Sequence, residues 1–151
     1  MKKVIQNNTN IHLFELKKIQ TDFPKVKICS SKDAYEFIKR FYSDDLEIFE
    51  SFFILLTNRS NLTMGYAKIS QGGMTGTVVD PILILKYAVD SLSKGVFIAH
   101  NHPSGNSQPS QADIDLTKKV KEALKFIDVS LLDSLIITAD NYFSFSDEGL
   151  N

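Results

Sequence analysis

Apolar residues recur along the chain in short runs that are separated by turn residues. Residues 46–57 and 96–99 are rich in Ile, Phe, Leu and Val, and both runs predict buried strands. Residues 62–71 follow the turn sequence Asn58-Arg59-Ser60-Asn61 and predict the return strand of a hairpin. Two further strands are predicted over residues 131–138 and 142–145, and residues 11–18 alternate loosely enough to form another.

Helical spacing appears in three places, each of which begins at a capping residue. Ser30 precedes a first helix that has Ala34, Phe37, Ile38 and Phe41 on one face. Asp80-Pro81 opens a second, over residues 81–93, and Ser110 opens a third that runs to about residue 126. Residues 72–76 predict a flexible or bulged connection before the second helix. Strands and helices alternate, so we expect an α/β fold in which helices sandwich a mixed sheet.

Composition narrows the class of protein. The 151 residues suit one domain, and 43% hydrophobic residues can fill its core. The 17 basic and 18 acidic residues give no sign of a phosphate-binding surface, so charge does not support a nucleic-acid partner. Cys29 is the single cysteine, which excludes an intramolecular disulfide and a cysteine-rich zinc site. With no signal peptide or membrane span evident, we expect a cytoplasmic protein without a membrane partner; its oligomeric state stays open.

Two of the three histidines lie one residue apart at the end of a predicted strand. Residues i and i+2 of a strand point to the same face, so His100 and His102 can converge while Asn101 faces the other way. Imidazole suits Zn²⁺, and catalytic zinc commonly takes three protein ligands. Asp113, in the first turn of the following helix, is the nearest carboxylate for the third place, and Ser110 can offer its hydroxyl to the same site.

Capping explains part of this pattern without a metal. Ser110-Gln111-Ala112-Asp113 is also a sound start for a helix, because the hydroxyl can cap and a carboxylate is stabilised in the first turn. Capping does not call for a pair of histidines at a strand end. Both interpretations of Asp113 stay open on the residues alone.

The segment from His100 to Asp113, His-Asn-His-Pro-Ser-Gly-Asn-Ser-Gln-Pro-Ser-Gln-Ala-Asp, resembles the signature of the RadC-like branch of the JAMM (MPN+) metalloproteases. The resemblance extends from about Cys29 to Leu150, which divides the chain into an N-terminal extension, 1–28, partly flexible, and a JAMM/MPN domain, 29–151. It implies a mixed α/β sandwich related to the cytidine deaminases. Zinc deaminases need two cysteine ligands, so deamination is excluded here.

The resemblance also implies a mechanism. Matching residues 50–58 to the family's early strand places the catalytic glutamate at Glu50, with Glu47 on the opposite face of a regular strand and a solvent-facing Glu50 as the alternative. One zinc per chain, held by His100, His102 and Asp113, would lower the pKa of water to about 7. Glu50 would take the proton, and Ser110 would stabilise the oxyanion. The expected substrate is a peptide or protein with an extended segment, cleaved at an amide or isopeptide bond.

The chain departs from its relatives in two respects. Ser134 stands where many relatives have a histidine, so contacts around the site must differ here. The helix-hairpin-helix-like N-terminal domain of longer RadC proteins is absent from this sequence, so DNA binding by that domain is not expected. A non-catalytic MPN-type binding module and a DNA-repair accessory protein are the alternative functions.

Overall fold

A computed structural model of the chain describes residues 10–73 and 78–151. One five-stranded sheet carries the fold, in the spatial order β2-β1-β3-β4-β5. The strands are β1, Ser51–Thr57; β2, Thr63–Gln71; β3, Gly95–Asn101; β4, Ser130–Ile137; and β5, Tyr142–Ser144. Only β3 and β4 pair in parallel, and the other neighbours are antiparallel, so the sheet is mixed.

Helices pack on both faces of this sheet. They are α1, Ser31–Ile38; α2, Pro81–Asp90; and α3, Gln111–Lys125, with a short 3₁₀ turn, Lys39–Phe41, after α1. The predicted caps form, because the side chains of Ser30, Asp80 and Ser110 each accept a hydrogen bond from a backbone N–H in the first turn. The predicted α/β sandwich is confirmed.

The core has two layers because alternate residues of the central strands face opposite sides. Val96 and Ile98 of β3 pack with residues of α2 and α3. Phe97 and Ala99, from the same strand, pack with residues of α1. Strand β3 is therefore buried on both faces, as a central strand should be. The strand ends at Asn101, where the loop that leads to α3 begins.

The first strand begins later than its apolar run predicts. Residues 44–49 form turns, in which the backbone N–H groups of Ile48 and Phe49 donate to the carbonyl of Asp45. Ile48 and Phe49 are 51% and 40% exposed, so they do not continue the buried strand. Glu50 lies directly before β1 instead of within it. The prediction of a strand from residue 46 was wrong for this part.

Two other predicted elements differ from the structure: one strand is absent from residues 11–18, and one helix is shorter. Residues 11–18 form no strand; their side chains are exposed, and alternation alone cannot replace a hydrogen-bonded neighbour. Helix α2 ends at Asp90 instead of residue 93, because Leu92 adopts a left-handed backbone with φ 55° that stops the helix. Of the predicted connection at residues 72–76, residues 74–76 lie outside the described chain.

A buried carboxylate fastens the last strand to its neighbour. Asp133 in β4 accepts hydrogen bonds from the hydroxyl of Ser144 and from the backbone N–H groups of Ser134 and Ser146. Burial raises the pKa of the Asp133 carboxyl, although these hydrogen bonds oppose the rise. The folded protein therefore binds a proton at Asp133 more tightly than the unfolded chain does.

This raised pKa predicts how stability depends on pH. The contribution of Asp133 should be fully present below the unfolded value of 3.8 and should be lost as pH rises through the higher folded pKa. Compared with Asp133→Asn, which does not titrate, the wild type should gain free energy of unfolding on acidification. Urea unfolding of both proteins between pH 7 and pH 4 measures this difference. A difference that shifts in favour of the wild type as pH rises would contradict it.

Candidate functional site

The register of the sheet places two histidines at one end of β3. His100 lies opposite Phe52 of β1 and beside Ile136 of β4, and its ring lies nearly parallel to that of Phe52 at 6.0 Å. His102 follows the strand, where its backbone N–H donates to the carbonyl of Ile137. The two Nε2 atoms are 3.1 Å apart. The strand parity predicted from the sequence therefore brings the imidazoles together.

The loop after β3 fixes the orientation of His102. Gly105, with φ 84°, turns the chain back in a backbone conformation that disfavours side chains, and its N–H donates to the carbonyl of His102. The carbonyl of Asn106 then lies 2.7 Å from Nδ1 of His102, so Nδ1 carries the donated hydrogen. In the neutral ring, this leaves the lone pair on Nε2, which faces His100. This contact could not be predicted from residue types, since any residue can supply a carbonyl.

Asp113 both caps its helix and reaches the histidines. Its Oδ2 accepts a hydrogen bond of 2.8 Å from the N–H of Ser110 and lies 3.3 Å from Nε2 of His102. Its Oδ1 lies 3.1 Å from Nε2 of His100. The two interpretations of Asp113 that the sequence left open therefore do not exclude each other. The cap holds the carboxylate at the angle that brings it to the histidine pair.

Glu50 reaches the same place from the turn before β1. Its Oε1 lies 4.0 Å from Nε2 of His102, and its side chain is only 14% exposed. Its backbone carbonyl accepts a 2.8 Å hydrogen bond from the N–H of Gly72, which follows β2. Glu47 is exposed, so of these two glutamates Glu50 is the one that the structure places beside the histidines.

One ligand atom from each of Glu50, His100 and His102 lies within 4.8 Å of the others, so these three residues could hold a metal ion. Asp113 is the nearer carboxylate, because its oxygens lie 3.1 and 3.3 Å from the two Nε2 atoms. Two ligand sets are thus compatible with the contacts. Both sets contain His100 and His102 and differ in the carboxylate.

The protonation of His102 and that of Asp113 affect each other. When Nε2 of His102 is protonated as well, it donates to Asp113; this hydrogen bond raises the pKa of His102, whereas burial opposes the rise. Burial alone would raise the pKa of Asp113, but hydrogen bonds from His100 and His102 hold it well below its usual range. Asp113 is consequently ionised at neutral pH. A cation that replaces the Nε2 proton of His102 would lie beside this ionised carboxylate.

Ser110 lies at the start of α3, where its Oγ accepts a 3.1 Å hydrogen bond from the N–H of Asp113. The residue is exposed, and this cap does not use its hydroxyl hydrogen. The structure thus places Ser110 next to the carboxylate that contacts the histidines. Its predicted role toward the oxyanion stays a prediction.

Ser134 contacts helix α3 instead of the histidines. Its Oγ accepts a 3.0 Å hydrogen bond from the hydroxyl of Thr117, and both side chains are buried. Thr117 follows Asp113 by four residues and so lies on the same face of α3, one turn further along. The pair therefore fixes to β4 the turn of α3 that follows Asp113.

This buried pair leads to a prediction about stability. Ser134→Ala leaves the Thr117 hydroxyl without its acceptor and should lower the free energy of unfolding by about 1–3 kcal/mol. Combining it with Thr117→Val removes donor and acceptor together, so the double variant should lose less than the sum of the two single losses. Urea unfolding of all four proteins tests the coupling. Strict additivity would show that the hydrogen bond contributes nothing.

The sequence pattern of one known protein family, described as "RadC-like JAB domain", matches residues 28–150, which is most of the chain. The chain belongs to the RadC-like JAB domain family. The relationship predicted from the segment between His100 and Asp113 is confirmed.

Members of this family from distant organisms share much of the sequence. A UPF0758 protein from Flavobacterium johnsoniae is 44% identical over 124 residues, covering 82% of this chain and 53% of the relative. One from Porphyromonas gingivalis is 41% identical over 82% of the chain and 54% of the relative. One from Methanosarcina acetivorans is 34% identical over 91% of the chain and 60% of the relative. The chain thus spans about half the length of the curated relatives it matches, and their names state no activity.

No helix within residues 10–73 and 78–151 has both the length and the apolar character needed to cross a membrane.

Proposed function

We propose that this chain is a zinc-dependent metallohydrolase of the metalloprotease or isopeptidase type, with His100, His102 and Asp113 as ligands. The observation that carries the proposal is the spacing of three side chains. Ligands bound to zinc at 2.0–2.1 Å in a tetrahedron lie about 3.3–3.4 Å from one another. The two Nε2 atoms are 3.1 Å apart, and each has one oxygen of the Asp113 carboxylate nearby: Oδ1 lies 3.1 Å from that of His100 and Oδ2 lies 3.3 Å from that of His102. These separations are close to the spacing of zinc ligands, which supports this donor set.

Three nitrogen and oxygen ligands leave one tetrahedral position for water or substrate, as in other catalytic zinc sites. A zinc ion held there would supply a Lewis acid for the scissile carbonyl and would lower the pKa of water to about 7. The remaining chemistry belongs to side chains of this chain.

Glu50 is assigned as the general base. Its Oε1 lies 4.0 Å from Nε2 of His102, farther than the contacts among the three proposed ligands, which suits a base that acts on bound water better than a ligand. It takes a proton from the attacking water at Oε1 and delivers it to the departing amine. The Ser110 hydroxyl, next to Asp113 along α3, is assigned as the donor to the oxyanion.

The proposed substrate is an extended peptide segment of a protein. Strand β2 forms one edge of the sheet, and the residue that follows it, Gly72, is hydrogen-bonded to Glu50. A peptide that adds to this edge as a strand would be guided toward Glu50. Main-chain hydrogen bonds give such binding its affinity, so we expect a preference for unfolded or tail segments.

Two measurements on the wild type test the proposal. Elemental analysis after zinc loading should find about one zinc per chain. A peptide library, including isopeptide-linked members, should show cleavage that stops on chelation and returns with zinc. Failure to bind zinc would reject the metal site. Zinc binding without cleavage of any library member would instead support a non-catalytic module.

A further inference from the structure

The residue between the two histidines, Asn101, holds more of the nearby chain than its position on the opposite face suggests. Its side chain is completely buried. Its Oδ1 accepts a 2.7 Å hydrogen bond from the N–H of Ser51, and its Nδ2 donates to the carbonyls of Leu46, at 2.6 Å, and Phe49, at 2.7 Å. Both amide hydrogens are used. Leu46 and Phe49 belong to the turn before β1, and Ser51 is the first residue of β1.

These three bonds surround Glu50. Phe49 and Ser51 are its chain neighbours, so Asn101 fixes the backbone on both sides of the residue. The hydroxyl of Tyr42 adds a 3.0 Å hydrogen bond to the carbonyl of Ser51. Residues 44–49 are not part of the sheet, so the carbonyls of Leu46 and Phe49 have no strand partner, and the Asn101 amide supplies their hydrogen bonds.

We propose that Asn101 is a positioning residue that ties the Glu50 turn to the strand carrying the histidines. It contacts neither substrate nor metal. His100 and His102 lie on one face of the strand direction, and the amide of Asn101 lies on the other. There the amide fixes the turn from which Glu50 reaches back to the histidines. The distance between Glu50 and His102 is thereby set by Asn101. This inference rests on the proposed metal site, because Glu50 needs positioning only if it acts there. One of the two measurements below is made without metal and does not depend on that site.

Zinc affinity measured by chelator competition provides the first arm, without any substrate. Removing the charge of a carboxylate a few ångströms from a dication should weaken binding about tenfold, so Glu50→Gln should raise the zinc Kd by about that factor. If Asn101 positions Glu50, the same substitution in an Asn101→Ala background should change the Kd by less than about twofold. An undiminished tenfold change in that background would overturn the proposal.

Asp133 offers a matched control, since it is also buried, makes three hydrogen bonds and fastens a different segment. Asp133→Ala should lower stability yet leave the effect of Glu50→Gln on the zinc Kd near tenfold. If Glu50→Gln also changed the zinc Kd by less than about twofold in the Asp133→Ala background, general destabilisation would explain the result, and the proposal would fail. Tyr42→Phe removes the hydrogen bond to the Ser51 carbonyl, so in this background the effect of Glu50→Gln on the zinc Kd should fall partway below tenfold. This variant replaces Asn101→Ala in the experiment if Asn101→Ala does not fold.

Hydrogen exchange of the Ser51 amide in metal-free protein provides the second arm. This N–H is bonded to Asn101, so Asn101→Ala should speed its exchange far more than Asp133→Ala does, after correction for global stability. Equal exchange in the two variants would overturn the proposal. If the wild type bound no zinc, the proposed function would fail, and the exchange measurement alone would decide the role of Asn101.

Discussion

Replacing His100 or His102 with alanine is expected to lower zinc affinity by more than about 100-fold, so that the purified variants carry almost no zinc. Each substitution removes one of the three closely spaced ligand atoms, and losing a ligand should cost more than losing a supporting contact, which costs 10–100-fold. Asp113→Asn should behave in the same way, because it removes the charge and keeps the shape. Competition with a chromogenic chelator measures all three affinities.

Two residues of the same types provide controls. His12 is the third histidine, and it is exposed. Asp115 lies two residues after Asp113 on α3, is exposed, and bonds only to Gln111 within the described chain. His12→Ala and Asp115→Asn should both keep wild-type zinc affinity. Full affinity in His100→Ala and Asp113→Asn would reject the assignment of ligands, whatever the activity.

Asp113→Asn needs one further measurement, because Asp113 also caps α3. Losing part of that cap should cost about 0.5–2 kcal/mol of stability. Urea unfolding of the metal-free variant determines this cost separately. A zinc defect accompanied by a stability loss within this range assigns the defect to the lost ligand instead of to an unfolded helix.

Glu50→Gln is expected to lower turnover by about 100- to 10,000-fold while the protein still holds one zinc at concentrations well above its Kd. Glutamine keeps the shape of the side chain but cannot accept the proton of the attacking water. The measurement is the cleavage rate of the best peptide from the library, together with zinc content. Glu47→Gln, in an exposed position three residues earlier, is the control and should retain wild-type turnover.

An undiminished rate in Glu50→Gln would remove Glu50 from the role of base. Equal losses in Glu50→Gln and Glu47→Gln would point to a general effect of negative charge near the substrate. Loss of zinc from Glu50→Gln would instead indicate that Glu50 is a ligand, which its distance to the histidines also permits.

Parts of the site could be predicted because they depend on local periodicity. A period of two along β3 is enough to bring His100 and His102 to one face. The helix start at Ser110 is a local signal as well, and it places Asp113. The parity of strands and the start of helices are therefore accessible from single segments of the sequence.

Other parts depend on partners far along the chain or on backbone atoms. Ile48 and Phe49 resemble strand residues, yet they form an exposed turn, so apolar character alone misplaced the start of β1. Placing Glu50 at the site required the family resemblance. The bonds of Asn101 reach a turn about 50 residues earlier, and the carbonyl of Asn106 has no side-chain signature. Such contacts follow from the folded topology.

The central position of β3 has a consequence for how the site can change. Pairing on both sides holds the strand that carries His100 and leads directly into His102. The two carboxylates come from outside the sheet, one through the loop after His102 and one through the turn before β1. Variation in that loop would move the proposed third ligand, and variation in that turn would move the proposed base, each without disturbing the core. The sheet thus holds the histidine pair, while the segments outside it carry the carboxylates.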